Sequence, residues 1–480
     1  MAAVASTVVS ARTVGRESWL ERTFALREHG VTVGSEARAG VTTFMVMAYI
    51  IFVNPGILAA AGVPFNAAVA ATCLVAAVMT LAMGLYARYP LAIAPGMGLN
   101  AVVAFQLAGA LQLPWQAAMG VVFLEGILIT LLMLTGFREA VMNAFPMALK
   151  RAIAVGIGLF ILFIGLYQGG FVQVPIQVGP DGKPFVGTPL ALGSFTTVPF
   201  VIALLGLVVT MALVARRVTG ALLYGIVLTT VVAVAVRYAT GASVSSVPTA
   251  ATLPASPFAL PDFSTLGAGL NLEIFVRVGI LTAILTIFSI MLSDFFDTMG
   301  TVTGIGAEAG WLDKEGRLPR LRRVLLVDSL GAMFGGLAGS SSATTYIESA
   351  AGVSEGGKTG LTSVVTGVLF LLCLFIAPIA GIVPPEATAP ALVLVGFYMA
   401  AAVRGIDFGD IEDGLPALLT MIVMPLTYSI TNGIGAGVIT YVIIKVARGK
   451  VAEIHPIMWI SALAFLLYFA LPALNKAFGI

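Results

Sequence analysis

The chain reads as a succession of long apolar runs separated by short polar or basic connectors. Runs that approach or exceed the length needed to cross a bilayer, about 17–25 residues, fall near 39–61, 66–87, 97–111, 115–135, 146–168, 196–215, 218–238, 276–304, 321–339, 360–383, 389–404, 414–430 and 431–448. A shorter, broken run lies at 343–353, and a last apolar run covers 457–475. The pattern predicts an all-α polytopic membrane protein of fourteen spans. The final run either crosses or ends at the interface.

The connectors carry a direction. Arg88, Arg138, Lys150, Arg151, Arg216, Arg217, Lys314, Arg317, Arg320, Arg322, Arg323, Lys358, Arg404, Lys445, Arg448 and Lys450 fall in alternate loops, while the loops near 170–195 and 239–272 are rich in Pro, Gly, Ser and Thr. Basic loops stay in the cytoplasm, so the N-terminus is expected there, in a multi-pass protein of the cell membrane. The alternation requires 343–353 to cross despite its length.

Composition narrows the class. Of 480 residues, 59% are hydrophobic and 10% charged, against about 25% charged in soluble proteins. A net charge of +2 implies no nucleic-acid partner. Cys73 and Cys373 sit inside apolar runs and read as small buried hydrophobes. His29 and His455 are the only histidines and lie near charged flanks, so no His-based metal site or catalytic triad is expected. The first 37 residues carry Arg12, Arg16, Arg22 and Arg27 but no apolar core of a cleavable leader. A membrane-embedded hydrolase would need a nucleophile–base pair or metal ligands at depth, and the chain offers no histidine there.

Two spans are interrupted in matching places. Pro90–Asn100 contains Pro95, Gly96 and Gly98; Pro lacks the N–H a helix needs and Gly permits unusual backbone. Extended chain is expected first, then a half-helix from about Met97. In Ser340–Ser349, an extended Ser342–Tyr346 should precede a half-helix from about Ile347. These are the third spans of two seven-span halves, and an odd repeat inverts the second half relative to the first. Paired interruptions of this kind point to a transport site between inverted repeats. Non-helical backbone at that depth must line a cavity or be buried in protein.

Acids sit beside the interruptions. Asp294 and Asp297 continue an apolar segment, and Glu348 opens the second half-helix. A carboxylate at membrane depth costs about 2.5 kcal/mol or more on insertion scales and marks a substrate or proton path by default. Glu125 lies mid-span, and Asp328 stands near the end of its span, where capping or pairing with Arg322 or Arg323 is expected. Gly356-Gly357-Lys358-Thr359 lacks the full spacing of a phosphate loop, so nucleotide binding is not expected.

The stretch Ala39-Gly40-Val41-Thr42-Thr43-Phe44, followed by Met47 to Pro55, resembles the first-span signature of the azaguanine-like purine permeases, within the nucleobase–ascorbate transporter superfamily. Ala94–Asn100, Asp294–Gly310 and Ser340–Gly360 resemble its other signatures, and the likeness runs from about residue 20 to 455. One departure is Val102-Val103, where many relatives carry an aromatic.

The resemblance implies a uracil-permease-like fold with short antiparallel strands in spans 3 and 10. It implies a cytoplasmic segment at 1–37, a core domain at 38–136 and 274–383, and a gate domain at 137–240 and 384–450. An extracytoplasmic loop at 241–273 and an apolar tail at 451–480 complete the chain. The implied activity is purine nucleobase import by proton symport, in a protein bathed in lipid and often homodimeric, with no cofactor beyond the proton. An anion transporter on the same fold, or uracil as substrate, is the alternative.

By motif match the family's substrate-site polar residues fall on Asn100, Asp294, Asp297 and Glu348, and backbone N–H groups of Gly98, Leu99 and Ser349 are expected to serve the substrate's acceptors. Asp297, Asp294 and Glu348 are the proton-coupling acids. A carboxylate can accept two N–H bonds from a flat heterocycle, and Asn offers donor and acceptor together. Secondary candidates are Glu125, Thr298, Thr301, Thr43, Phe296 and Tyr346. Phe295, Phe44 and Tyr49 join Phe296 and Tyr346 as possible ring contacts.

Overall fold

The structure, a computed structural model, describes residues 19–135, 144–178, 184–186, 189–313 and 318–478. Arg12, Arg16, Arg138, Lys314 and Arg317 lie outside them. The first half begins with α1 (Val33–Met47) and α2 (Ile50–Ala59), parted by a turn at Ala48-Tyr49. Then come α3 (Phe65–Ala82, wound on as a π-helix to Ala87), β1 (Ile93–Pro95) and α4 (Met97–Ala101, wound on as a π-helix to Ala110). They are followed by α5 (Trp115–Thr135), α6 (Met147–Gln168), α7 (Val198–Ala215) and α8 (Ala221–Thr240).

The second half holds α9 (Ile280–Glu308), α10 (Leu321–Ala338), β2 (Ala343–Thr345), α11 (Ser349–Ser354) and α12 (Gly360–Leu372). It closes with α13 (Pro385–Ala400), α14 (Ile411–Thr427), α15 (Ile430–Ala447) and α16 (Pro456–Phe478). Two further strand pairs, Val172–Gln173 with Ala191–Leu192 and Ile176–Val178 with Pro184–Val186, lie in the connection between α6 and α7.

Among the described residues, nine helices or continued helices are long and apolar enough to cross a membrane. Apolar side chains such as Val201, Val208, Val227 and Val231 stay exposed on α7 and α8, as expected for helices whose solvent is hydrocarbon. Charge collects at helix ends: Glu412 pairs with Lys445 and Lys450 at 2.6 Å each and with Arg448 at 2.7 Å.

Local chemistry sets the boundaries. Thr32 and Ser35 form a reciprocal capping box at the start of α1. Gly339, at φ 80°, ends α10 in a left-handed turn. The connector 356–359 is closed by the chain itself: the Glu36 carboxylate accepts from the backbone N–H of Lys358 at 2.9 Å and from the hydroxyls of Thr359 and Thr362 at 2.9 and 2.7 Å. The position where a phosphate-loop reading would seat an anion is filled by an internal acid at the N-terminus of α12.

Helices pack in two groups. In one, α5 lies on α10, α12 on α1 and α3, and α11 on α1. Glycine makes the closest contact possible: a Cβ at Gly126 would lie 2.3 Å from the backbone nitrogen of Met333. In the other, α6 packs on α13 and α14, α14 on α15, and α7 on α8. The groups meet where α4 and α9 touch α6, and where α9 touches α15. The α16 helix rests on α15 and α9, with Met458 and Phe465 buried.

Candidate functional site

Both interruptions are extended where the sequence places them, and they pair. Strands β1 and β2 run antiparallel with Ile93 opposite Thr345, Ala94 opposite Thr344 and Pro95 opposite Ala343. The Gly96 N–H donates to the Ser342 carbonyl at 2.8 Å, and the Tyr346 N–H to the Ala92 carbonyl at 2.9 Å. Antiparallel pairing between the two halves is what an inverted relation between them requires.

A two-stranded ribbon inside a protein leaves polar groups on both outer edges, and each needs a partner. On β1, Thr80 of α3 exchanges bonds with Ile93: its hydroxyl donates to the carbonyl at 2.9 Å and accepts from the N–H at 3.0 Å. On β2, the buried carboxylate of Asp328 accepts from the Thr345 N–H and hydroxyl, both at 2.9 Å, and from the Thr298 hydroxyl at 2.7 Å. Asp328 therefore faces the ribbon rather than Arg322 or Arg323, correcting the expectation of a cap or surface pair. Its helix presents Gly331 and Gly335 on the same side, and a Cβ on either would lie within 3.0 Å of the Ala343 or Ser341 carbonyl oxygen. An acid at i with glycines at i+3 and i+7 was the available signal.

Beside the ribbon lies a cavity of about 660 Å³, within the range of small-molecule sites. Gly96 to Gly98, Thr344 to Glu348, and Phe296, Asp297, Gly300 and Thr301 of α9 line one side; α6, α8 and α13 contribute Ala154, Ala221 and Val395 to the other. Among the described residues no Lys, Arg or His lines it. Phe296 is braced edge-on by Phe145 at 4.9 Å. The Tyr346 hydroxyl donates to the Pro95 carbonyl at 2.5 Å, which fixes its ring over β1.

The expected site residues divide. Glu348, Asp297, Gly98, Thr301, Phe296 and Tyr346 line the cavity; Asn100, Leu99, Asp294, Glu125, Ser349, Thr298 and Thr43 do not. Asp294 is buried and accepts from the Ser342 hydroxyl at 3.1 Å. It lies within electrostatic reach of Glu125, Asp328 and Asp297. The Ser349 hydroxyl oxygen accepts the Ala92 N–H at 2.9 Å, tying α11 to β1. Asn100 is wholly buried, and its side-chain amide has no hydrogen bond among the described residues. Thr43 backs onto Gly352 of α11. Of the other rings, Phe44 packs on Phe370, and Tyr49 stands behind Glu348, donating its hydroxyl to Oε1 at 2.5 Å.

Hydrogen bonds also cross between the helix groups. Gln106, in the continuation of α4, donates to the Thr431 hydroxyl at 2.8 Å and accepts from the Ser429 hydroxyl at 3.1 Å. Next to this bridge, Tyr428 packs edge-on against Phe105, Phe160 and Phe163 at 5.4–5.6 Å between ring centres. No charged residue marked the bridge in the sequence.

A helical membrane protein with two broken segments crossing beside an internal cavity has the build of a transporter. The chain belongs to the permease family, whose model matches residues 34–436. It is 38% identical to the adenine permease AdeP of Escherichia coli over 94% of this chain and 96% of that one. It is 40% identical to the guanine/hypoxanthine permease PbuG of Bacillus subtilis over 93% and 98%. The fold is similar to the transmembrane domain of the cyanobacterial bicarbonate transporter BicA, with a TM-score of 0.62 at 15% identity, over 83% of this chain and 97% of that one.

Proposed function

We propose that this chain imports purine nucleobases (adenine, guanine, hypoxanthine or xanthine) by proton symport. One observation carries the substrate class: Glu348 and Asp297 share a cavity that contains no cationic side chain among the described residues. Carboxylates accept N–H bonds strongly, and a neutral, flat heterocycle rich in N–H donors suits such a lining. The names of the 38–40% identical relatives support the same class. The likeness to a bicarbonate transporter extends to the fold alone, and two acids in the lining argue against an anion.

In this reading Glu348 accepts the base's N–H groups. Backbone N–H groups around Gly98 serve its acceptors, and Phe296 and Tyr346 cover its faces. Asp297 carries the coupling proton. It lines the cavity within electrostatic reach of Glu348 and Asp328, so neutralising it eases movement of the site through a low-dielectric interior.

The helices of 38–136 and 274–383 act as the core, which slides against the gate of 137–240 and 384–450 in an elevator motion. With the N-terminus in the cytoplasm, the lining residues Val218 to Leu222 and Ala402 neighbour the basic connectors Arg216-Arg217 and Arg404. That supports a cavity facing inward, closed on the outer side by the Gln106 bridge and the Tyr428 aromatic cluster.

The test is uptake of radiolabelled purines into cells or proteoliposomes, beside sulfate and bicarbonate, with and without a proton gradient. Purine accumulation that collapses with the gradient is expected. Glu348→Gln should abolish or strongly weaken purine binding in a folded protein, and wild-type affinity in that variant would refute the reading.

A further inference from the structure

We propose that Tyr49 is a positioning residue: its buried hydroxyl holds one oxygen of Glu348 so that the other is presented to the substrate. The inference deepens the nucleobase reading and rests on it. Tyr49 is 0% exposed and does not line the cavity, so it does not touch a ligand there. Its hydroxyl donates to Glu348 Oε1 at 2.5 Å across 299 positions of sequence, the short range of charge-assisted O–H···O bonds.

Three features make this a support rather than an incidental contact. Glu348 stands at the N-cap of α11 with helical backbone angles, φ −57° and ψ −18°, and its side chain makes no capping bond. The first turn of α11 therefore does not hold the carboxylate; its bonds come from Tyr49 and from the residue's own backbone N–H. Tyr49 occupies the junction of α1 and α2 with helical backbone angles, φ −55° and ψ −25°, so its ring is carried on a continuous helical backbone that sets its position against α11. A wholly buried ring also has few alternative rotamers, so the hydroxyl is a fixed point.

The chemistry favours a phenol in this place. A Lys or Arg there would hold the carboxylate equally well but would neutralise it and compete for both oxygens. A phenol donates one bond, adds no charge and leaves Oε2 as a strong acceptor for a substrate N–H. Pre-orienting that oxygen removes the entropy of searching rotamers from the binding event.

The test uses full-length protein in detergent and proteoliposomes, with a tritiated purine that the uptake assay identifies as substrate. Tyr49→Phe removes a single oxygen from a packed ring. We expect the Kd and the transport KM to rise about tenfold with Vmax within twofold of wild type. In a Glu348→Asp background, whose shorter side chain falls out of reach of Tyr49, the same substitution should change KM less than twofold. Wild-type KM in Tyr49→Phe would overturn the proposal, as would a fall in Vmax at constant KM or an equal effect in both backgrounds. The two readings fail separately. Unchanged binding in Glu348→Gln defeats the nucleobase site itself, whereas loss in Glu348→Gln beside an intact Tyr49→Phe defeats only the role of Tyr49.

Discussion

Asp328→Ala tests whether the ribbon is held from behind by an acid that never meets the substrate. The wild-type carboxylate accepts three bonds, from the Thr345 N–H, the Thr345 hydroxyl and the Thr298 hydroxyl. Bonds to a charged acceptor contribute about 1.5–3 kcal/mol each, and leaving a buried donor unpaired costs about as much. The three are coupled, so the low end applies, giving a loss on the order of 4 kcal/mol. With an unfolding entropy of about 2 cal/mol/K per residue, a chain of 480 residues loses roughly 1 °C of Tm per kcal/mol, so roughly 4 °C is expected.

Binding should suffer as well, because the Thr345 N–H is three residues from Glu348. Releasing that edge lets β2 and the start of α11 shift, and purine Kd should rise at least tenfold. Asp328→Asn keeps an acceptor for Thr345, and the Thr298 hydroxyl can turn to accept from the new amide. It should therefore lose about 1 kcal/mol and only a few-fold in affinity. Thermal melting and equilibrium purine binding on purified protein read both quantities. If Asp328→Ala melts and binds as wild type, the carboxylate does not brace the ribbon. If the Asn and Ala variants are equally impaired, charge rather than hydrogen bonding is what matters there.

Two further outcomes follow from the same geometry. Asp297→Asn should bind purine yet lose accumulation driven by a proton gradient, measured as uptake at imposed gradients; full concentrative uptake would remove Asp297 from the coupling role. Gln106→Cys with Thr431→Cys, joined by a short bifunctional thiol reagent in a Cys73→Ala, Cys373→Ala background, should stop transport while purine binding in detergent survives. Undiminished transport by the cross-linked protein would mean that the bridge between Gln106 and Thr431 need not open.

The parts legible in the sequence are those with a local cause. Pro95 with Gly96 and Gly98 disfavours a continuous helix at that place, so an extended stretch followed by a half-helix from about Met97 was legible. Ser342 to Tyr346 had no proline, only a cluster of small and hydroxyl side chains, and its half-helix begins at Ser349 rather than near Ile347. The acids announced themselves because a carboxylate in an apolar run is expensive, but cost alone does not say which way a side chain points. Asp294 and Asp297 lie three apart on one helix; Asp297 lines the cavity while Asp294 turns to Ser342. Asp328, next to a basic connector, had a bland explanation available in Arg322 and Arg323. Gln106 and Tyr49 carry no charge, and their partners lie 325 and 299 residues away, a relation no local pattern encodes.

The two halves of the site are alike in backbone and unlike in chemistry. Each brings a strand, a half-helix and a neighbouring helix that satisfies the strand's outer edge, Thr80 for β1 and Asp328 for β2. A neutral hydroxyl meets that need as well as a carboxylate does, since Thr both donates and accepts. The edge alone therefore does not demand an acid on α10. What distinguishes the second half is the company: Asp297 and Glu348 face the cavity from α9 and α11, while the first half offers Gly96, Met97 and Gly98 there. In the proposed reading the acceptors come from one half and the backbone donors, at Met97 and Gly98, from the other, so a ligand with donors along one edge and acceptors along another is held between the two halves. A symmetric pair of acidic halves would repel itself and bind only a cation, and a pair of glycine halves would favour an anion. On the proposed reading it is this asymmetry between the halves that suits the site to an uncharged base.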